Sequence, residues 1–251
     1  MGELAILTVE DGIGRLTLCR PQARNALSLN LLGALGDRLR EAASREDLRV
    51  LILAGEGKAF CAGMDLKAAL QEPGAPAKLL TAIADRTLEI RAFPTPVIAR
   101  VQGAAIGGGC GLVTVCDLSV THPEAILGFP EVDLGVCPAV VAPWLVRRAG
   151  AGVARRILLE GGALTGAEAH RLGVTTHLAR SARTLDDEVD EIAQRISGAS
   201  PIAVRATKQA LNEQEDTATL AAMVRKGAAV STQVVESTEA QALLRQRFDV
   251  S

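Results

Sequence analysis

The sequence predicts an α/β fold: strand, loop and helix in repeated units, closed by an all-helical tail. Three observations predict it. Apolar runs of strand length, Val50-Leu51-Ile52-Leu53 and Val97-Ile98-Ala99-Arg100-Val101, each precede a glycine-bearing loop and a longer helix-like segment. The pattern recurs at roughly forty- to fifty-residue spacing without clear identity between units, as in a supersecondary unit wound into a coil. From Leu185 onward the chain reads as helix throughout.

In chain order, Leu4–Val9 and Gly14–Leu18 read as two strands of a hairpin, because Asp11-Gly12 supplies the turn signal. Asn25 to Ala43 reads as a helix, with Ser28 placed to cap it before Leu31, Leu32, Leu35 and Leu39. Gly55 and Gly57 stop the Val50–Leu53 strand. A helix is expected over Ala77–Ala92, ended by Pro94 and Pro96. Ala68 to Lys78, with Pro73-Gly74-Ala75-Pro76, reads as a mobile lid loop. Gly107 should open the next helix, Pro201 should separate two helices of the tail, and Thr217 could cap another. The expected division is a core over 1–184 and a helical extension over 185–251.

Composition narrows the function. The chain has 251 residues with 48% hydrophobic content, enough for a sizeable core, yet only 2% aromatic residues. Base stacking relies on aromatic rings, and the net charge of −2 carries no basic run, so nucleic acid and membrane surfaces are poor partners. No apolar stretch reaches the roughly 18 residues of a membrane span. Met1-Gly2-Glu3-Leu4 lacks the basic start of a signal peptide, and Ile6 breaks the myristoylation pattern. Cys19, Cys61, Cys110, Cys116 and Cys137 include no Cys-x-x-Cys pair, which points to free thiols in the cytoplasm. His122, His170 and His177 fall in no motif, so no metal site is expected.

Two stretches carry the chemistry: Lys58-Ala59-Phe60-Cys61-Ala62-Gly63-Met64-Asp65-Leu66 and Gly103-Ala104-Ala105-Ile106-Gly107-Gly108-Gly109-Cys110-Gly111. A chain that turns from strand to helix on glycine leaves backbone N–H groups unpaired and pointing outward. Two such turns side by side make an oxyanion hole. The glycine run lacks Gly-x-Gly-x-x-Gly spacing and an acidic residue about 20 positions on, which argues against dinucleotide binding. Glu131, flanked by Phe129, Pro130 and Val132, is the general acid/base candidate, because apolar neighbours raise a carboxyl pKa towards neutrality.

With Arg20-Pro21-Gln22-Ala23-Arg24-Asn25-Ala26-Leu27, Cys116-Asp117-Leu118, Phe129-Pro130-Glu131-Val132, Leu164-Thr165-Gly166-Ala167-Glu168-Ala169 and Leu172-Gly173-Val174, these stretches run in the order and spacing of a known family. The chain resembles the crotonase (enoyl-CoA hydratase/isomerase) superfamily over most of its length. The resemblance implies a spiral of ββα turns with a C-terminal helical extension. It also implies an acyl-CoA thioester substrate, with coenzyme A as part of that substrate and no separate cofactor, and a homotrimer or homohexamer. By resemblance the N–H groups of Met64 and Gly108 hold the thioester oxygen and Glu131 moves protons. Ala62, Gly63, Asp65, Leu66 and Lys67 line the coenzyme, Gly111 belongs to the substrate site, and Ala23 and Arg24 lie in the loop folded over the coenzyme.

One departure stands out. Hydratases of this family carry a second glutamate two residues after the glycine triplet, where this chain has Gly111. One carboxylate suffices for Δ3,Δ2-enoyl-CoA isomerisation. Yet Gly-Gly-Gly-x-Gly-Leu-Val, followed by Leu134-Gly135-Val136-Cys137-Pro138-Ala139, resembles a branch whose hydratases take branched or glutaconyl-type enoyl groups. Hydration of a 2-enoyl-CoA is therefore the leading expectation, isomerisation the alternative, and a non-catalytic acyl-CoA binder the third. Asp133 and Asp117 are the substitutes considered for the missing acid. Acyl selectivity is expected in the lid and around Val140 to Trp144. The apolar content of Thr217 to Phe248 is expected to drive association.

Overall fold

The computed structural model describes residues 2–70, 72 and 74–248. Met1 and Pro73, which entered the sequence reading, lie outside them, as does the end of the tail from 249. The first turn of the fold is β1 (Ala5–Glu10), β2 (Ile13–Leu18) and α1 (Leu29–Ala43). The hairpin turns on Asp11 and Gly12, both at positive φ, the geometry that matches strand twist. Ser28 caps α1, accepting from the Leu31 N–H at 3.2 Å. The expected helix start at Asn25 is replaced by a 3₁₀ turn over Pro21–Ala23 and left-handed backbone at Arg24 and Asn25.

The second turn is β3 (Val50–Gly55), β4 (Ala59–Cys61), α2 (Leu66–Ala69) and α3 (Ala75–Ala92). The third is β5 (Val97–Arg100), β6 (Ala104–Ile106) and α4 (Gly108–Val115). The fourth is β7 (Leu118–Thr121) and β8 (Ile126–Gly128), leading through a 3₁₀ turn at Val132–Leu134 to α5 (Ala142–Ala149) and α6 (Ala151–Glu160). Then follow β9 (Ala163–Thr165), α7 (Gly166–Arg171), β10 (His177–Leu178) and α8 (Leu185–Ser197). Both strands of the first turn, the first strands of the next three and β10 form a six-stranded sheet, β1-β2-β3-β5-β7-β10. The second strands form a four-stranded sheet, β4-β6-β8-β9. The first turn places both of its strands in the large sheet, and each later turn adds one strand to each sheet, which is the ββα coil expected. The three-residue strands β4 and β6 sit inside the glycine-bearing stretches and are too short for periodicity to reveal.

Alternation along β3 sorts the core. Leu51 and Leu53 face the main interior with Leu31 and Leu35 of α1. Val50 and Ile52 face the opposite side, where Leu185, Val189, Ile192 and Ala193 of α8 cover them with Ile98 and Val120. Helix α8 therefore seals the large sheet, although the sequence division placed it in the extension. The lid also differs from expectation. Asp65 caps α2 and Gly74, at φ +75°, starts α3 with Pro76 in its first turn, a position where proline costs no hydrogen bond.

The remaining helices are α9 (Pro201–Gln214), α10 (Thr217–Val235) and α11 (Thr238–Phe248). Asp216, not Thr217, caps α10. Helix α10 packs along α3, and α11 lies against the Val132–Leu134 turn. Val224, Ala228, Val235 and Leu244, expected at a subunit interface, are buried in the chain's own core. Helix α9 buries only Lys208, whose Nζ donates to the Thr95 carbonyl at 2.9 Å and to Asp117 Oδ2 at 2.7 Å.

Candidate active site

The two glycine-bearing turns meet. Leu27 faces Met64 in an isolated parallel bridge. Its N–H donates to the Gly63 carbonyl at 2.7 Å and its carbonyl accepts from Asp65 at 3.0 Å. In a parallel bridge the facing residue keeps its own N–H for the other side, so the Met64 N–H turns away from Leu27. Gly63 has φ +85°, and a Cβ there would sit 2.6 Å from the Ile106 carbonyl oxygen and 3.6 Å from the Gly108 nitrogen. Glycine at 63 is what allows the turns this close. Gly108 is the first residue of α4, where a helical N–H has no intrahelical acceptor. Among the described residues neither the Met64 nor the Gly108 N–H reaches a backbone acceptor.

Both groups line a cavity of about 70 Å³, together with Ala62, Gly63, Leu66, Gly107 and Glu131. Its walls come from Leu80 and Ile83 of α3, and from Val136, Cys137, Pro138 and Val140. Gly107 is at φ +52°, and a Cβ there would lie 2.7 Å from Glu131 Oε1, so the absent side chain lets the carboxylate reach the helix start. Glu131 Oε2 is buried and has no partner among the described residues. Desolvation pushes the Glu131 pKa up to about 7, against a small opposing effect of a backbone hydrogen bond. A carboxyl so placed can take and return a proton near neutrality.

A polar scaffold holds the first turn. Arg20 Nη1 reaches Asp65 Oδ2 at 2.7 Å and the Ala26 carbonyl at 2.9 Å. The fully buried Asn25 donates to the Ala59 carbonyl at 2.9 Å and the Phe60 carbonyl at 3.2 Å. The Ala62 N–H returns to the Arg24 carbonyl at 2.9 Å. The sequence pattern contains Arg20 and Asn25 without assigning them a role. Their signal was their place at either end of Arg-Pro-Gln-Ala-Arg-Asn, a segment whose long-range partners only the fold supplies.

The other expected site residues fall as follows. Ala62, Gly63 and Leu66 line the cavity with Met64 and Gly108, whereas Lys67 is exposed and Asp65 is spent on Arg20 and the α2 cap. Arg24 is exposed and lines an outer groove with Asp133, Leu243, Gln246 and Arg247, next to the half-buried Ala23. Gly111 does not line the cavity: a Cβ there would overlap Val141 Cγ1 and lie 3.1 Å from Val141 Cβ. Val141 has taken that space. Neither substitute acid enters the cavity. Asp133 accepts from the Gly162 N–H at 2.8 Å, and Asp117 pairs with Lys208 and Arg91. Trp144 is core rather than pocket wall. Burial pushes the Cys61 and Cys116 thiols up to about 12 and raises that of Cys110 further, so these cysteines are packing groups. No group of three metal-ligating side chains occurs among the described residues.

Comparison with known proteins agrees with this geometry. The family model for enoyl-CoA hydratase/isomerase matches residues 8–247. A 2,3-dehydroadipyl-CoA hydratase of Escherichia coli (strain K12) is 33% identical over 90% of this chain and 88% of its own. A crotonyl-CoA hydratase of Syntrophomonas wolfei is 34% identical over 84% and 82%. The crystal structure of an enoyl-CoA hydratase/isomerase from Xanthobacter autotrophicus Py2 superimposes with a TM-score of 0.89 at 26% identity, covering 97% of this chain and 93% of that one. With a spiral fold, two adjoining backbone donors and a buried glutamate in one cavity, the chain belongs to the enoyl-CoA hydratase/isomerase family.

Proposed function

We propose that the protein hydrates a 2-enoyl-CoA reversibly. The observation that carries this reading is the convergence on one small cavity of two N–H groups without acceptors and a buried carboxylate whose Oε2 has no partner among the described residues. The thioester oxygen accepts from the Met64 and Gly108 N–H groups. Ionised Glu131 takes a proton from water as the water oxygen bonds to C3 and the C2–C3 π electrons move towards the thioester oxygen. The two donors stabilise that enolate, each by about 3 kcal/mol. Glu131 then returns its proton to C2, and H₂O has been added across the double bond. One carboxylate performs both transfers in turn, so Gly111 leaves no step without an agent. The hydratase names of both relatives favour this over isomerisation.

The reaction is redox-neutral and the oxyanion is held by backbone, so the reading requires no cofactor beyond the coenzyme A of the substrate. Arg24 in the outer groove is placed for a coenzyme phosphate. The five free cysteines suit the cytoplasm. A trimer or dimer of trimers built through the C-terminal helices is supported by α9, which exposes Ile202 at 82% and Leu211 at 52%. The test of the reaction is incubation of purified protein with crotonyl-CoA in deuterated water. Formation of 3-hydroxybutyryl-CoA with deuterium at C2 is expected. Conversion of a 3-enoyl-CoA to a 2-enoyl-CoA without any hydration would replace this reading by isomerisation.

A further inference from the structure

We propose that the cavity selects a short, uncharged enoyl group and rejects carboxylated ones, a reading that rests on the hydratase function proposed for the same site. The two relatives differ on this point, since one is named for a dicarboxylic acyl group and the other for crotonyl. The sequence pattern beyond the glycine triplet resembles a branch that takes branched or glutaconyl-type enoyl groups. The walls of the cavity point the other way.

Beyond the backbone donors, the acyl end is enclosed by Leu80, Ile83, Val136, Pro138 and Val140. Among the described residues no lysine, arginine or histidine lines it, and the one charged lining group is Glu131. A substrate carboxylate there would lose its water, find no cation and face a like charge, each of which opposes binding. Arg24 and Arg247 line the outer groove instead, which shares Ile106, Pro130 and Leu134 with the cavity. Length is limited too. The cavity is small, about 70 Å³, and the side chains of Leu80, Ile83 and Val140 stand in its wall. The Val141 side chain closes the space that a residue at 111 would otherwise enter.

Saturated esters bind without reacting, so affinity can be read apart from turnover. Full-length protein titrated calorimetrically should bind butyryl-CoA at least about tenfold more tightly than glutaryl-CoA. Octanoyl-CoA should gain nothing over butyryl-CoA despite its extra methylenes. Leu80→Ala should improve octanoyl-CoA at least about fivefold relative to butyryl-CoA. Glutaryl-CoA binding as well as butyryl-CoA, through Arg24 or Arg247 or otherwise, would overturn the charge selection. A wild-type octanoyl-CoA preference would overturn the length limit, and an unchanged ratio in Leu80→Ala would remove Leu80 from the end wall. Hydration of crotonyl-CoA, measured alongside, separates the two readings. The affinity order can hold while hydration fails, and hydration can hold while the order fails.

Discussion

Below about pH 7 the carboxyl of Glu131 holds a proton, because burial has raised its pKa to about that value. Hydration and its reverse both begin with ionised Glu131. We therefore expect kcat/KM to rise about tenfold per pH unit on the acid side and to level above about pH 7. A pH–rate profile checks this; a flat profile between about pH 5 and about pH 8 would assign the base elsewhere. Glu131→Gln should lower kcat by about 10² to 10⁴ while acyl-CoA affinity stays near wild type. The linkage has a definite sign. A raised pKa means that the fold favours the neutral acid, so stability is full below the unfolded pKa of about 4.3 and falls as pH rises through about 7. Glu131→Gln should accordingly raise Tm at about pH 8 and have little effect near pH 4, as calorimetry at the two pH values would reveal. Gly111 shows how one side chain excludes another. A glutamate at 111 must displace Val141, so Gly111→Glu should cost about 1 to 3 kcal/mol, measurable by denaturant unfolding. Adding Val141→Gly should recover most of that. Equal stability of Gly111→Glu and wild type would mean that the helix shifts freely at this point.

The start of α4 carries the element-scale chemistry. Gly108 is its first residue, a position where proline is compatible with the helix but brings no N–H. Gly108→Pro should leave the protein folded by circular dichroism and lower kcat/KM by about 10² or more. Met64→Ala, which keeps the backbone donor, should be milder. The reverse ranking in folded protein would relocate the hole. Helix α10 acts on the site from behind. Ser231 Oγ donates to the Cys137 carbonyl at 2.6 Å, and a Cβ at Gly227 would collide with the Ala139 carbonyl oxygen. The Pro138–Val140 wall is thus set by how closely α10 approaches. Gly227→Ala should push that wall, lower stability by about 1 to 3 kcal/mol and alter KM for acyl-CoA. Unchanged KM with lowered stability would confine α10 to a structural role.

Across the whole molecule the tail divides its work. Helix α8 completes the core, α10 and α11 fold back over α3 and the turn after Glu131, and α9 remains sparsely packed. Its inner face is held by Lys208 in a cluster with Asp117, Arg91, Glu215 and Arg147. Ile202 and Leu211 are its most exposed large apolar side chains, Leu211 beside Lys208 in a cavity with Arg91 and Asp117 and Ile202 on the opposite face. Light scattering should give a mass near three or six times the chain's 26.2 kDa. Ile202→Asp with Leu211→Asp should shift the distribution towards monomer. A strictly monomeric, fully active wild type at low micromolar concentration would refute assembly through α9.

The sequence by itself determined the strand–loop–helix recurrence, the two strand-to-helix turns and the glutamate between Pro130 and Val132. These are local: periodicity, glycine placement and apolar flanks are written in neighbouring residues, and long apolar strands such as β3 announce themselves. Only the tertiary structure decided what each group meets. It spent Asp65 on Arg20, filled the space beside Gly111 with Val141, and left the acyl cavity without a cation. It also moved α8 into the core and turned the apolar face of α10 inward. Those outcomes depend on residues tens to hundreds of positions apart sharing one volume, and close packing admits one occupant at each point. An amphipathic helix advertises that it needs a partner, but its own sequence does not say whether that partner is its own chain or another copy.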